Sequence, residues 1–109
     1  MKQNDDLVFI YTTLPDQESA VTIAHALVER RLAACCNIGA PIRSIYSWDG
    51  AIEEASEIPV LIKTRRTLVA EAVDAAHALH PHEAPCFVRV PIDGVSEFYL
   101  EWALSVTKG

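Results

Sequence analysis

The sequence predicts an α+β fold, a ferredoxin-like split βαβ sandwich in the order βαββαβ, followed by a C-terminal helix. Two stretches carry apolar residues at helical spacing, and each lies between runs with strand character. Between these two units, Asp49-Gly50 joins two alternating arms, which predicts a hairpin because both turn residues tolerate positive φ. Two right-handed βαβ units joined by a hairpin place two helices on one face of a four-stranded antiparallel sheet.

The first unit begins with a strand and continues into a helix. Residues 7–12 are apolar and rich in β-branched and aromatic side chains, as in a central strand. Asp16 and Glu18 favour the positive end of a helix, and Arg30 and Arg31 complement the dipole at its far end. The apolar stripe of this helix consists of Ala20, Ile23, Ala24, Leu27 and Val28.

The second unit repeats this pattern after the hairpin. Thr64 or Thr67 can cap a second helix that ends at Pro81, and Ser96 can cap a last helix. The apolar stripe of the second helix is Val69, Ala72, Val73, Ala76 and Leu79, and that of the last helix is Tyr99, Trp102, Ala103 and Val106. The strand between them is expected to bury Cys86, Val88, Val90 and Ile92.

The central hairpin is too long for the domain that carries it. Each arm has about a dozen residues or more and could reach about 40 Å, whereas a domain of this size has a radius of gyration of about 13 Å. We expect the tip around Tyr46, Trp48 and Ile52 to project and to pair with another copy, because exposed aromatic side chains on an uncovered strand favour association. The alternative is a hairpin that bends back on its own sheet at Gly39 and Pro59.

Length, charge and composition narrow the class of protein. The 109 residues predict a single domain spanning 1–109, and half of them are apolar, as in globular proteins. A net charge of −6 argues against a nucleic-acid partner, which requires a basic surface. No apolar run approaches membrane-spanning length, and the first residues lack the apolar core of a signal peptide. We therefore expect a cytoplasmic protein without a membrane partner.

Imidazole, carboxylate and thiol groups cluster after the second helix and form a candidate metal site. The residues are His80, His82, Glu83 and Cys86, whose side chains are ligand types for copper and other divalent cations. Their spacing matches no established metal motif. The alternative is that a histidine at a helix C-terminus simply hydrogen-bonds the last carbonyl groups.

The adjacent Cys35 and Cys36 are not expected to chelate one ion, because neighbouring side chains on a strand point to opposite faces. A buried structural thiol is the simpler interpretation, and the sequence leaves the role of both cysteines open. No nucleophile–base pair or pair of acids can be identified, so we do not expect an enzyme.

Positive charge gathers just before the second helix, at Lys63, Arg65 and Arg66. A helix N-terminus binds anions readily, so this basic segment is a candidate site for a small anionic ligand. The alternative is a solvated loop that balances an acidic protein, since no glycine-rich loop accompanies the charges.

Several spaced motifs, in order along nearly the whole chain, resemble the CutA family of divalent-cation tolerance proteins. The central ones are Leu32-Ala33-Ala34-Cys35 with Asn37, Ile45-Tyr46-Ser47-Trp48-Asp49-Gly50, Glu57 with Ile62-Lys63-Thr64, and His80-Pro81-His82-Glu83-Ala84-Pro85. They are flanked by Thr13-Leu14-Pro15-Asp16 and Tyr99-Leu100-x-Trp102.

The resemblance implies a cytoplasmic homotrimer whose hairpin pairs between subunits, with a role in tolerance of copper and other divalent metals. It also implies copper ligands at three positions, which here hold Thr12, Leu79 and His80, so only His80 has a metal-ligating side chain. The architecture also resembles the trimeric PII-like signalling proteins, which bind nucleotides or other anions in clefts between subunits. An anion sensor that uses the basic segment, or a purely structural scaffold, is therefore the alternative function.

Overall fold

The computed structural model describes residues 2–3 and 6–109 and confirms the predicted α+β architecture. Its elements are β1 (Lys2–Gln3), β2 (Leu7–Leu14), α1 (Gln17–Glu29), β3 (Cys35–Ile38), β4 (Ile42–Trp48), β5 (Ala51–Arg65), a 3-10 turn (Arg66–Leu68), α2 (Val69–Leu79), β6 (Phe87–Pro91), β7 (Gly94–Val95) and α3 (Glu97–Val106). The main antiparallel sheet has the order β3-β5-β2-β6, with β4 paired to β5 beyond it. A short β1–β7 ribbon was not predicted.

The larger core cluster lies between one face of the main sheet and helices α1 and α2, and a second, smaller cluster packs around α3. Paired residues of β2 and β5, such as Ile10 and Ile62, point to this face together and are buried. Asp16 lies at the positive end of α1 as expected, and it also caps the helix, since its carboxylate accepts a hydrogen bond from the backbone N–H of Ser19 at 2.7 Å. The helices contribute small and aliphatic side chains to this core: Ala20, Ile23 and Leu27 from α1, and Ala72, Ala75 and Ala76 from α2.

Three helix residues that were predicted to be buried are exposed: Val28, Leu79 and Trp102. Val28 and Leu79 lie in the last turns of their helices, and Ala75 takes a buried position in α2 instead. The predicted apolar stripes therefore included more residues than the buried face of each helix contains. Within the residues that the structure describes, no helix is long and apolar enough to cross a membrane.

The predicted caps of the later helices are also corrected. Neither Thr64 nor Thr67 caps α2, which follows the 3-10 turn and has Leu68 at its N-cap with no side-chain hydrogen bond. Thr64 still belongs to β5 and points to the buried face, where its hydroxyl donates to the Leu32 carbonyl at 2.6 Å. Ser96 does occupy the N-cap of α3, but its side chain makes no capping bond.

The side of β6 that was predicted to be buried is the exposed one. Cys86 precedes the strand and is exposed, as are Val88 and Val90, whereas Ile92 is half-buried. The register explains the reversal, because Val88 and Val90 pair with Tyr11 and Phe9 on the face of the sheet opposite α1 and α2. Phe87 packs against the core instead.

The hairpin projects from the domain as predicted. Its turn has positive φ at Asp49 (51°) and Gly50 (80°), as a two-residue type I′ loop requires. One arm, β5, is continuous over 15 residues, whereas the other divides into β3 and β4 near Gly39. The molecule measures 45 × 26 × 23 Å with a radius of gyration of 14.7 Å. Within the described residues the outer hairpin pairs only with itself and does not return to the sheet.

At Gly39 the backbone of one arm lies close to Pro59 of the other. The Gly39 N–H donates to the Pro59 carbonyl at 2.9 Å. A Cβ atom at this position would lie 2.9 Å from Cγ of Pro59, so a larger residue would displace the proline ring. The alternative to a projecting hairpin was one that bends back on its own sheet at these two residues. The structure instead shows a break in one arm there, beyond which the hairpin continues outward.

Candidate functional site

His80 follows α2 as its C-cap residue, and its ring has hydrogen-bond partners on both sides. The residue is 8% exposed. Its Nε2 atom lies 2.9 Å from the carbonyl oxygen of Thr13, and its Nδ1 atom lies 3.1 Å from the backbone nitrogen of His82. Because a carbonyl only accepts and a backbone N–H only donates, Nε2 carries the proton and Nδ1 supplies the lone pair. The ring is therefore neutral in this arrangement.

The other predicted metal-site residues follow in the segment 80–86, here called the histidine loop. His82, Glu83 and Cys86 are exposed, and the ring centre of His82 lies 5.2 Å from that of His80. His77 ties the loop to α2, since its Nε2 lies 3.0 Å from the Glu83 carbonyl oxygen. Across the described part of the chain, no three His, Cys, Asp or Glu side chains come together as a metal-binding group. The structure brings the predicted residues into one loop but not into one coordination sphere.

The other two positions that the family resemblance assigns to copper ligands hold side chains of the wrong chemistry. Leu79 is aliphatic and exposed. Thr12 is fully buried under the helices, and its Oγ1 has no hydrogen-bond partner among the described residues. With His80 engaged at both nitrogens, these residues do not fit a metal centre built at those three positions.

Replacing Thr12 with valine is expected to stabilise the protein by about 1 to 2 kcal/mol, because it removes a buried hydroxyl that lacks a partner while keeping the shape of the side chain. Thermal unfolding would show this as a rise of several degrees in melting temperature. The matched control is Thr64→Val, which deletes a bonded hydroxyl and should destabilise. A loss of stability in Thr12→Val would mean that the hydroxyl has a partner, such as an ordered water.

The cationic side chains Lys63 and Arg65 make contacts within the chain. The Nζ atom of Lys63 lies 5.5 Å from the ring centre of Tyr99 and 5.8 Å from that of Phe9. The guanidinium of Arg65 donates to Oγ1 of Thr107 at 2.8 Å. Arg66 is exposed at the start of the 3-10 turn. The anion-binding hypothesis stays a prediction, in which Lys63 and Arg65 would have to exchange their present contacts for a ligand.

Two arginines from distant parts of the chain hold the C-terminus of α3. The guanidinium of Arg31 donates to the carbonyls of Ser105 at 3.3 Å and Thr107 at 3.2 Å, and that of Arg65 reaches the Leu104 carbonyl. Arg31 was expected to complement the dipole of α1, so its actual partner is a different helix. The signal that could have found this is that the last turn of α3 has no basic residue of its own.

The two adjacent cysteines face opposite sides of the sheet, as predicted. Cys36 packs against the core beneath α1 and α2, whereas Cys35 contacts Tyr99 on the other side. Burial, and secondarily the neighbouring Cys35, raise the pKa of Cys36 to about 12. Burial also raises the pKa of Tyr99, and Cys35 adds to that rise. Because the folded state keeps the Cys36 proton longer than the unfolded state, the contribution of Cys36 to stability is complete below about pH 9 and declines toward pH 12.

At pH 8, iodoacetamide is expected to modify Cys86 quickly and to leave Cys36 largely unmodified. Cys86 is exposed, whereas Cys36 is part-buried and its raised pKa leaves almost no reactive thiolate. Mass spectrometry of timed digests would measure both rates, and the unfolded chain in denaturant is the control in which all three cysteines react. Equal rates for Cys36 and Cys86 in the native protein would contradict the burial of Cys36.

The hairpin carries apolar side chains on both of its faces. Trp48 is 64% exposed and Ile52 is 75% exposed. The register places Tyr46 opposite Glu53 and Ser47 opposite Ile52, so Tyr46 and Trp48 share one face while Ile52 lies on the other. Exposed apolar side chains grouped in this way are typical of a surface that associates with another protein.

A second uncovered surface lies beside the edge strand β3. An open groove of about 310 Å³ runs between α1 and β3. Its lining includes Val21 and Val28 from the helix and Cys36 and Ile38 from the strand. The face of the sheet opposite α1 and α2 adds the exposed Val88 and Val90. The domain therefore has several apolar surfaces besides the hairpin that could be covered in an assembly.

Comparison with known proteins gives one consistent result. A family model described as "CutA1 divalent ion tolerance protein" matches residues 8–106. The divalent-cation tolerance protein CutA of Pyrococcus horikoshii is 39% identical over 102 residues, which cover 94% of this chain and 99% of that protein. The protein of the same name from Archaeoglobus fulgidus is 45% identical over 95 residues, or 86% and 91% of the two chains. Human protein CutA is 41% identical, and the match covers 90% of this chain but 55% of that protein.

Solved structures agree with the sequence matches. CutA from Xylella fastidiosa superimposes with a TM-score of 0.93 at 36% identity, covering 95% of this chain and 100% of that one. The divalent cation tolerance protein Cut A1 from Thermus thermophilus gives a TM-score of 0.91 at 39% identity, covering 94% and 99%. The names of relatives give different compartments, since the Arabidopsis thaliana protein is called chloroplastic and a structure from A. fulgidus is called periplasmic.

Proposed function

The chain belongs to the CutA1 family of divalent ion tolerance proteins, and we propose that it contributes to tolerance of divalent metal ions, copper in particular, as a non-catalytic homotrimer. Family membership across residues 8–106 supports the tolerance role. Copper is the divalent first-row metal that imidazole and other nitrogen or sulfur ligands bind most tightly, and such groups are exposed in the histidine loop.

The observation that carries the assembly part of the proposal is the projecting hairpin. Its tip exposes Trp48 and Ile52 on opposite faces, so a neighbour on either side would bury apolar surface. Tyr46 and Trp48 are aromatic residues of the kind that dominate binding energy at interfaces. The number of subunits, three, comes from the family resemblance.

We propose that copper binds the protein weakly, at the exposed side chains of the histidine loop. His82 and Cys86 offer an imidazole and a thiol that solvent can reach. Because the described residues of one chain supply no group of three ligands, a metal held by one subunit would keep much of its water and bind with modest affinity.

Calorimetric titration of the tag-free, reduced protein with Cu(II) tests this proposal. We expect saturable binding that His82→Ala weakens by about tenfold or more and that declines toward pH 5, because protonated imidazole is not a ligand. The control is His25→Ala, which removes an exposed histidine beside Glu29 on α1. Isotherms that are the same for the unmodified protein and His82→Ala, or an absence of binding, would contradict it.

Anion sensing remains the second candidate and has less support from the geometry. Lys63 already faces two aromatic rings, and Arg65 already donates to the Thr107 hydroxyl and the Leu104 carbonyl. Binding of a nucleotide that weakens with added salt would favour this candidate instead.

For the location of the protein in the cell we propose the cytoplasm, which fractionation of cells that express the protein would test.

A further inference from the structure

We infer that His80 is not a metal ligand in the folded chain but forms a hydrogen-bonded bridge between the histidine loop and β2. A divalent cation that binds at this loop is then coordinated by His82 rather than by His80. The inference rests on the proposed function, because it says which side chain of the loop faces the metal.

Both nitrogen atoms of the His80 ring are already engaged in hydrogen bonds. A neutral imidazole has one lone pair for a metal, and in His80 that lone pair, on Nδ1, accepts the His82 backbone N–H at 3.1 Å. The other nitrogen, Nε2, carries a proton toward the Thr13 carbonyl at 2.9 Å. Coordination through either nitrogen would break one of these bonds and leave a backbone group without its partner.

The surroundings of the His80 ring also disfavour a metal ion at this position. His80 is 8% exposed, and the ring of Phe87 meets it edge-on at 6.1 Å between ring centres. Thr12 and Leu79, the neighbours that the resemblance assigns to the same centre, supply no nitrogen, carboxylate or thiolate. A metal placed at His80 would therefore need desolvation without gaining further strong ligands.

The His80 bridge connects two distant parts of the chain. Thr13 lies near the end of β2, 67 positions from His80 in sequence. The bond from the His82 N–H fixes the first turn of the loop, and the contact between His77 and the Glu83 carbonyl fixes the next part. The loop is thereby held against the domain while the side chain of His82 is exposed.

Nitrogen NMR of histidine-labelled protein tests the bridge without any metal. The chain has four histidines, and His80→Gln would assign the His80 signals by their loss. Long-range proton–nitrogen correlations distinguish the two neutral tautomers. We expect a protonated Nε2 and an unprotonated Nδ1 for His80, together with slow hydrogen exchange of the His82 amide. A protonated Nδ1 would overturn the inference.

Zinc(II), which is diamagnetic, is the probe for the metal part of the test. Titration should shift the ring signals of His82 and leave those of His80 in place, and His82→Gln should weaken zinc affinity by about tenfold or more while His80→Gln changes it by less than about threefold. Movement of the His80 Nδ1 signal with zinc would overturn the inference while supporting metal binding.

The two hypotheses can fail separately. If zinc does not bind, the proposed metal contact is wrong. The tautomer of His80, measured in the protein without metal, still decides whether the bridge exists. If His80→Gln does not fold, the His80 signals can be assigned instead by elimination, with His25→Gln, His77→Gln and His82→Gln identifying the other three histidines. The tautomer and the zinc response of the unmodified protein then decide the outcome.

Discussion

Replacing Trp48 with alanine is expected to dissociate the proposed trimer at concentrations where the unmodified chain stays assembled. Trp48 is 64% exposed at the tip of a hairpin that pairs only with itself among the described residues. An interface tryptophan typically contributes about 2 kcal/mol or more, and a closed trimer would lose this at each of three interfaces, or about 6 kcal/mol in total. Mass measurements over a dilution series would show the change.

Phe98→Ala is the control for the hairpin variant. Phe98 is 89% exposed but lies on α3 rather than on the hairpin. Its removal should leave the assembly unchanged if the hairpin is the part that matters. Dissociation curves that coincide for Trp48→Ala and the unmodified chain would show that the tip of the hairpin does not carry the assembly.

Replacing Arg65 with methionine is expected to destabilise the domain by about 3 kcal/mol, the second large effect. The guanidinium donates to Thr107 and to the Leu104 carbonyl, and charged hydrogen bonds contribute about 1.5 to 3 kcal/mol each. Methionine keeps much of the stem but donates nothing, so the carbonyls at the end of α3 lose a partner. The melting temperature should fall by about 10 °C or more.

The exposed Arg30, at the end of α1, provides the matched substitution. Arg30→Met removes the same charge from the domain without removing a hydrogen bond to α3, and its melting temperature should change by less than about 3 °C. Arg31→Met removes the other arginine that is bonded to α3, and its loss of melting temperature should lie between those of Arg65→Met and Arg30→Met. Melting temperatures that are equal for Arg65→Met and Arg30→Met would contradict the role of Arg65.

Local patterns in the sequence were sufficient to predict the main elements. The apolar stripe of α1 and the Asp49-Gly50 turn each depend on residues close together in the chain, and both are confirmed apart from Val28, which is exposed. The topology then follows from handedness rules rather than from any single residue. The length of the arms also predicted that the hairpin projects, since the strands could not fit within the domain.

Features that depend on which face of an element is covered were not predictable in the same way. Alternation along β6 gives a period of two but does not say whether Phe87 or Val88 points inward, and the register with β2 decides that. Similarly, nothing near His80 in sequence indicates a partner at Thr13, and nothing near Arg31 indicates Thr107. Long-range partners of polar side chains are set by the packing of the whole domain.

The mass of the unmodified, tag-free chain in solution tests the proposed homotrimer most directly. Sedimentation velocity at micromolar concentration is expected to show one species of about three times the 12.0 kDa subunit mass. That species should persist at dilutions at which Trp48→Ala has already dissociated. A single species at the mass of one subunit across the whole range would contradict the assembly, because the exposed hairpin would then have no partner to cover it.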